Sequence, residues 1–229
     1  MTLAETKTKT KTKRRADAAE VRVCSAVSVI DRRRVYAFAY RVLVDEMGTA
    51  TPHAHADLRR LEDPLDEVAR QLYLTRGSTI EGCLRLMIGA GFALPDWLVE
   101  AYAFDIFSVF PQAALAFIDR LLVAREARTE GIEKLLLGTA YGTARTEGVR
   151  FAFTHSKPSQ VDDYRRLGYR PLGAGFEHPE LGFQLAHCLV LGDLKHLRSV
   201  GSPLATVAAG FPVDDEAVLW FAERISKAA

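Results

Sequence analysis

The 229-residue chain is 48% apolar and 26% charged with a net charge of +1, the make-up of one ordinary globular domain with a sizeable core. It has no window of about 18 apolar residues to span a membrane, no overall basic excess to suggest a nucleic-acid partner, and three scattered cysteines (Cys24, Cys83 and Cys188) that form neither a metal motif nor a disulfide framework. The charged N-terminus lacks an apolar segment of the kind a secretory signal needs, so a cytoplasmic protein with reduced thiols is expected.

Residues 1–17 place Lys7, Lys9, Lys11, Lys13, Arg14 and Arg15 in a Thr–Lys alternation. Like charges along one face argue for a disordered basic tail, either a solvated leader or an electrostatic contact for an acidic partner. Without it the chain holds 24 bases against 27 acids. Residues 18–229 are therefore expected to form a single, slightly acidic domain.

Val21 to Ile30 alternates and is β-branched, which predicts a strand. Asp31 is placed to cap a helix over 32–46 with Val35, Phe38, Ala39 and Val42 on one face. Gly48 ends it. Residues 49–66 read as irregular; His53 and His55 lack a third ligand, so no metal is expected there. Ala69 to Leu74 and Ile80 to Ile88 predict a hairpin through Arg76-Gly77-Ser78. The aromatic-rich stretch 89–113, with Phe92, Trp97, Tyr102, Phe104, Phe107 and Phe110, predicts a cover over one side of the sheet. Strands follow at Leu115 to Val123 and Val149 to His155, separated by a helix that runs to about Glu147. A short helix over 158–167 stops at Gly168. A strand pair starting at Tyr169-Arg170-Pro171-Leu172 and including Leu185 to Leu191 comes next. A last helix lies within 214–225, its apolar side made of Val218, Leu219, Phe221 and Ala222. This order predicts an α/β fold around a mixed sheet, because the hairpin must be antiparallel while strand–helix–strand units are parallel.

The stretch from Ile118 to Leu137 carries the first chemical signal. A buried strand ending at Leu121-Leu122-Val123 turns through Arg128-Thr129-Glu130-Gly131 into a helix with apolar residues at Ile132, Leu135, Leu136 and Ala140. The first N–H groups of a helix have no intrahelical acceptor, and the dipole is positive there. A strand–glycine turn–helix is thus either an ordinary connection or a cradle for a phosphate-bearing ligand.

The loop Arg128-Thr129-Glu130-Gly131-Ile132-Glu133, together with the turn Tyr164-Arg165-Arg166-Leu167-Gly168-Tyr169, resembles the GNAT superfamily of N-acyltransferases. Tyr40-Arg41-Val42-Leu43-Val44-Asp45-Glu46, Asp63-x-x-Asp66, Gly82-Cys83-Leu84-Arg85-Leu86, Phe107 to Pro111 and Asp119-Arg120-Leu121 are similar to one branch of it. That branch holds the long-chain N-acyl amino acid synthases and the acyl-homoserine lactone synthases. The motifs His178-Pro179-Glu180-Leu181-Gly182, Leu191-Gly192-Asp193 and Gly201-Ser202-Pro203 are closer to the amino acid synthases. The resemblance spans about residues 30–205.

It implies a GNAT-like mixed central sheet flanked by helices. It also implies transfer of a fatty acyl group from a phosphopantetheine thioester, on acyl carrier protein or coenzyme A, to an amine of an amino acid, peptide or metabolite. No permanently bound cofactor is implied. Autoinducer synthesis and a catalytically inactive GNAT-like binding module stay open as alternatives. Leu122, Val123, Arg128, Thr129, Gly131 and Ile132 would hold the donor. Tyr164 would protonate the leaving thiolate, or else pack its helix against the sheet. Arg41, Asp63, Asp66, Arg85 and Arg120 would organise the amine pocket by ion pairing. The branch carries a glutamate where this chain has Phe117, which leaves Asp119 as the nearest carboxylate for a base, although strand alternation sets it on the face opposite Arg120. Glu133 stands where the superfamily has a small residue. A carboxylate there disfavours the phosphates of coenzyme A and favours a carrier-protein donor. The aromatic segment would line the acyl tunnel or simply pack the core.

Overall fold

The computed structural model describes residues 20–89 and 96–224, apart from the side chains of Trp97 and Ala174. The basic tail, Phe92 and the last residue of the expected final helix lie outside the described residues. Seven strands form the main sheet: β1 (Val21–Ser25), β4 (Arg70–Arg76), β5 (Thr79–Ile88), β6 (Leu115–Val123), β7 (Phe151–Ser156), β8 (Arg170–His178) and β9 (Gly182–Val190). Their order across the sheet is β1-β4-β5-β6-β7-β9-β8. Every neighbouring pair is antiparallel except β6 with β7. Two short strands, β2 (Ala54–His55) and β3 (Arg60–Leu61), pair separately within the stretch that the sequence reads as irregular.

The first helix starts earlier than its sequence suggests. Ser28, not Asp31, is the N-cap of α1 (Val29–Tyr40). Its hydroxyl accepts from the Asp31 N–H at 3.0 Å and donates to the Asp31 carboxylate at 2.7 Å. This reciprocal cap ends β1 at Ser25 and leaves Val27, Val29 and Ile30 exposed. The expected face of Val35, Phe38, Ala39 and Val42 is buried. Beyond Tyr40 the helix widens into a π-helical turn over Arg41–Glu46.

The hairpin forms as expected, with Gly77 at φ +60 in a two-residue turn between β4 and β5. On the far side of the sheet α3 (Ile132–Thr146) lies directly on β5. A Cβ at Gly82 would stand 2.6 Å from Ile132 Cγ2 and 2.9 Å from Leu136 Cδ1, so glycine is what allows the approach. That contact centres the buried face on Ile132, Leu136, Ala140 and Ala144, with Leu137 and Tyr141 beside them. Leu135, expected inside, is exposed. α4 (Val161–Leu167) follows β7, and α5 (Leu194–Ser199) and α6 (Ala205–Ala208) follow β9; the last two have no counterpart in the sequence reading. In α7 (Asp215–Arg224) the buried positions are Ala217 and Phe221. Leu219, expected on the apolar side, faces outward, and Trp220 packs on Phe107, Phe110 and Phe151 instead.

Strand alternation gives β5 to β7 two different faces. Leu84, Leu86, Ile118 and Ala152 belong to a core cluster shared with α3, whereas Met87, Phe117, Phe151 and Phe153 belong to an aromatic cluster under α2 (Asp96–Ala101), the 104–110 segment and α7. Two irregularities in β6 then shape the molecule. Opposite β5 the register slips between Cys83 and Arg85, so that Arg120 and Leu121 together face Leu84, and Arg120 takes φ +50. Opposite β7 the parallel pairing covers only Leu115 to Phe117 against Phe151 to Phe153. From there β6 continues to Val123 and β7 to Ser156 without pairing to each other. The sheet splits at the carboxyl ends of its two parallel strands, the place where α/β sheets bind ligands.

Candidate active site

A buried ion network occupies the β5–β6 side of the split. The Arg85 guanidinium grips Asp119 with two hydrogen bonds, one of them Nε to Oδ1 at 2.7 Å, and donates to Asp63 at 2.6 Å and Asp66 at 3.1 Å. Arg120 donates to both Asp66 oxygens at 3.0 and 3.2 Å and pairs with Asp63. Gln71 adds a bond to Asp66 at 2.7 Å. The loop acids are pre-set by a capping box. Asp63 accepts from the Leu65 N–H at 2.8 Å, and Asp66 accepts from the Asp63 N–H at 2.9 Å. Arg85 is nearly inaccessible, which is tolerable only because its donors are met by charge.

The structure thus brings Asp63, Asp66, Arg85, Arg120 and Asp119 together. Arg120 and Asp119 were expected on opposite faces. The β6 bulge removes that alternation, because the left-handed turn at Arg120 swings its side chain to the side that Asp119 occupies. Arg41 is not part of the set. It lies over the Phe38 ring at 5.2 Å and 4.0 Å from Glu46, half exposed, while Tyr36 is the α1 residue that feels Asp66 and Arg120. Burial works to raise the Asp119 pKa, but the charge and hydrogen bonds of Arg85 prevail and hold it below the usual value.

Across the split, on the α3 side, stands Tyr164 of α4. Its ring is stacked on His187 at 5.2 Å and meets Tyr169 edge-on at 5.7 Å. Burial pushes its pKa up, and a hydrogen bond with Thr154 opposes that rise. His187 is fully buried; Nε2 lies 2.8 Å from the Ser156 hydroxyl and Nδ1 has no partner among the described residues. Its imidazole is kept neutral by burial, with a pKa lowered to about 4.

The turn into α3 is built as the sequence suggests. Gly131 adopts φ +74 at the N-cap. The N–H groups of Gly131, Ile132 and Glu133 meet no backbone acceptor among the described residues. Arg128 does not reach over this end. It donates to the Val123 carbonyl at 3.2 Å and to Glu46 at 3.3 Å, tying the loop to the end of β6 and to the π-helical turn. Leu122 is buried beneath, Val123 is half buried, and Thr129 is exposed.

A mostly apolar cavity of about 530 Å³ opens beside the first half of β6, lined by Phe104, Phe107, Phe110, Leu115, Ala116 and Phe117, with Asp105, Ser108 and Gln112 as its polar wall. Three of the aromatic residues singled out in the sequence are therefore cavity walls. Tyr102 is not one of them. It is fully buried, and its hydroxyl lies 3.0 Å from Nδ1 of His155 on β7. Tyr102 thus packs in the core, the alternative left open for the aromatic segment, and the sequence reading missed its partner His155 as well as His187 and Ser156. The available signal was polar residues in an otherwise apolar strand, Thr154-His155-Ser156, which must find partners if buried. No cluster of three or more metal-ligating side chains occurs among the described residues, and no helix there is long and apolar enough to cross a membrane.

No family model and no curated protein matches the chain. Solved structures do. FeeM, an N-acyl amino acid synthase from uncultured soil microbes, superposes with a TM-score of 0.61 at 18% identity, over 82% of this chain and 97% of that one. TofI, solved in a ternary complex with an inhibitor and MTA, gives 0.58 at 19% identity, over 81% and 98%. BjaI, a coenzyme A-dependent acyl-homoserine lactone synthase solved with MTA, gives 0.57 at 17% identity, over 87% and 98%. At these identities the likeness establishes the fold. It is a mixed sheet flanked by helices, the architecture that the motifs imply.

Proposed function

We propose that this protein is an N-acyltransferase that moves a fatty acyl group from a phosphopantetheine thioester to the amine of an amino acid or related metabolite, in the cytoplasm. The observation that carries the reading is the split between β6 and β7, with an ion network on one side, a half-buried tyrosine on the other and a mostly apolar cavity alongside. Aminolysis of a thioester needs an amine held against the carbonyl, donors for the oxyanion and a proton for the thiolate. The network supplies three carboxylates to two guanidiniums, an excess negative charge that favours an incoming ammonium group. Beyond Phe117 the edge of β6 turned toward β7 has no strand partner, and its N–H groups are the natural oxyanion donors. Tyr164, un-ionised at neutral pH, gives its proton to the sulfur. The cavity takes the acyl chain.

The α3 N-terminus, with Gly131 and Ile132 at the turn and Leu122 and Val123 below, cradles the phosphate of the donor arm. Glu133 in its first turn favours an acyl carrier protein, whose arm carries a single phosphodiester, over coenzyme A. The fold shared with FeeM, an N-acyl amino acid synthase, supports a free amino acid as acceptor.

Incubation with acyl carrier protein thioesters and acyl-coenzyme A of graded chain length, in the presence of mixed amino acids, tests the reading by mass spectrometry. New amides on a free amino acid are expected. Lactone products in a parallel reaction supplied with SAM move the assignment to autoinducer synthesis, and the absence of reaction with every donor leaves a binding module.

A further inference from the structure

One half-buried imidazole at the split has no part in the roles above. His155 is the penultimate residue of β7, where that strand has left β6. Its Nδ1 lies 3.0 Å from the Tyr102 hydroxyl. Around it stand Phe117 of β6 and Phe176 of β8, each with ring centroids at 5.9 Å, and His178 at the end of β8 at 5.1 Å. The charge of Asp119 favours its cation, while burial, His178, His187 and Arg85 oppose it. Tyr102 is itself fully buried and stays protonated. The carboxylates near the split are already engaged. Asp119 gives both oxygens to Arg85, and Asp63 and Asp66 lie between two guanidiniums.

We propose that His155 accepts the proton of the attacking amine and that Tyr102 positions it, so that β7 supplies the base that β6 lacks. The proposal rests on the acyltransferase reading above. The role requires the tautomer in which Nδ1–H donates to the Tyr102 oxygen and Nε2 is bare. The amine nitrogen bonds to the thioester carbon and the carbon–sulfur bond breaks. The nitrogen's proton passes to Nε2 of His155, and the sulfur takes a proton from Tyr164. His155 then returns its proton through solvent to the Tyr164 phenolate. Amine and thioester give amide and thiol with no other reactant. At neutral pH the imidazole carries no proton on Nε2 in this tautomer, burial having lowered its pKa to about 4; it therefore takes the proton from the zwitterionic adduct formed by attack, not from a free ammonium group.

The test uses the full-length chain with acyl carrier protein and coenzyme A thioesters. If the unaltered protein forms no amide from either donor, the acyltransferase reading falls and the base assignment with it. Given an active protein, His155→Gln is expected to lower kcat at least about 100-fold with donor KM unchanged, and the residual rate should climb with pH as hydroxide replaces the base. His155→Ala should regain amide formation with added imidazole, above an enzyme-free control. A His155→Gln protein that keeps kcat within about threefold of the parent, or an Ala variant that imidazole does not rescue, overturns the proposal and leaves the acyltransferase reading standing. Should both variants fail to fold by circular dichroism, Tyr102→Phe decides. A kcat roughly ten- to a hundredfold lower at constant donor KM supports the positioning role, and an unchanged kcat overturns it.

Discussion

The two sides of the β6–β7 split are built from different materials. On the β5–β6 side, side-chain charge does the work. Two guanidiniums and three carboxylates, drawn from the 63–66 loop, β5 and β6, satisfy one another out of water. On the α3 side, backbone geometry does it. Gly82 lets α3 settle on the sheet, Gly131 turns the chain into it, and Gly168 at φ +104 ends α4 against Leu197. The first side is rigid because breaking it strands buried charge. The second holds open N–H groups and half-exposed arginines, and so is suited to a ligand that comes and goes. On the proposed function, the first is the acceptor side, preorganised for charge, and the second the donor side, preorganised for docking.

The comparison is broken most severely at Arg85. Arg85→Ala leaves three carboxylates together with one guanidinium, and removing one partner of a buried pair costs about 3–5 kcal/mol. Urea unfolding should show that loss, and Asp66→Ala should show a matching one, because Asp66 is bonded to Arg85, Arg120, Gln71 and the Asp63 N–H together. A near-neutral Asp66→Ala would mean that the network is not the cooperative unit its geometry describes. The donor side should respond differently. Tyr164→Phe keeps the ring stacked on His187 and removes only the hydroxyl, so stability should change little while kcat falls about 10²–10⁴-fold. Full turnover by the Phe variant takes Tyr164 out of the chemistry and leaves it packing α4.

Acid should separate the two sides again. His155 and His187 both have pKa values lowered to about 4 by burial, against an ordinary value of 6.5. A lowered folded value means full stability above pH 6.5 and progressive loss as pH falls toward 4. For His155 the loss reaches about 3 kcal/mol. Asp119, depressed by Arg85, contributes stability above its unfolded value near pH 4 and loses it only at lower pH. Urea midpoints measured from pH 7.5 to 3 should therefore fall first through the histidines and then through the carboxylate. His187→Gln should flatten only the upper part of the curve.

The donor side was legible in the sequence because its signals are local. Gly131 before a 3.6-residue apolar repeat, and Tyr164 four residues ahead of Gly168, each sit on a single turn of chain. The strand limits of β6 could be read for the same reason. Of the acceptor side, the pairing of Arg85 and Arg120 with Asp63 and Asp66 was foreseen and is observed. That Asp119 joins the same network as Arg120 depends on a bulge that alternation cannot foresee. Arg120 at φ +50 overturns the period-two rule at the one point where the site needed it. Arg41 failed for the converse reason: its motif is intact, but Tyr36, not Arg41, is the α1 residue that feels the network. His155 escaped because its partner, Tyr102, comes from a segment whose aromatic content reads as core.

The smallest effect expected is also the one that sharpens the donor side most. Glu133 lies in the first turn of α3, where a carboxylate stabilises the helix dipole by about 0.3–1 kcal/mol. The same charge opposes a phosphate at the N-terminal N–H groups, by about 1 kcal/mol for unit charges some 4 Å apart in water. A pyrophosphate feels this more than a single phosphodiester does. Glu133→Gln should therefore lower stability slightly and raise kcat/KM for acyl-coenzyme A, relative to the carrier-protein thioester, by roughly fivefold, the equivalent of about 1 kcal/mol. Paired kinetics with one acyl chain on both donors measure that ratio directly. A ratio unchanged by the substitution would mean that the side chain is turned away from the phosphates, and donor choice would then have to come from the surface that meets the carrier protein.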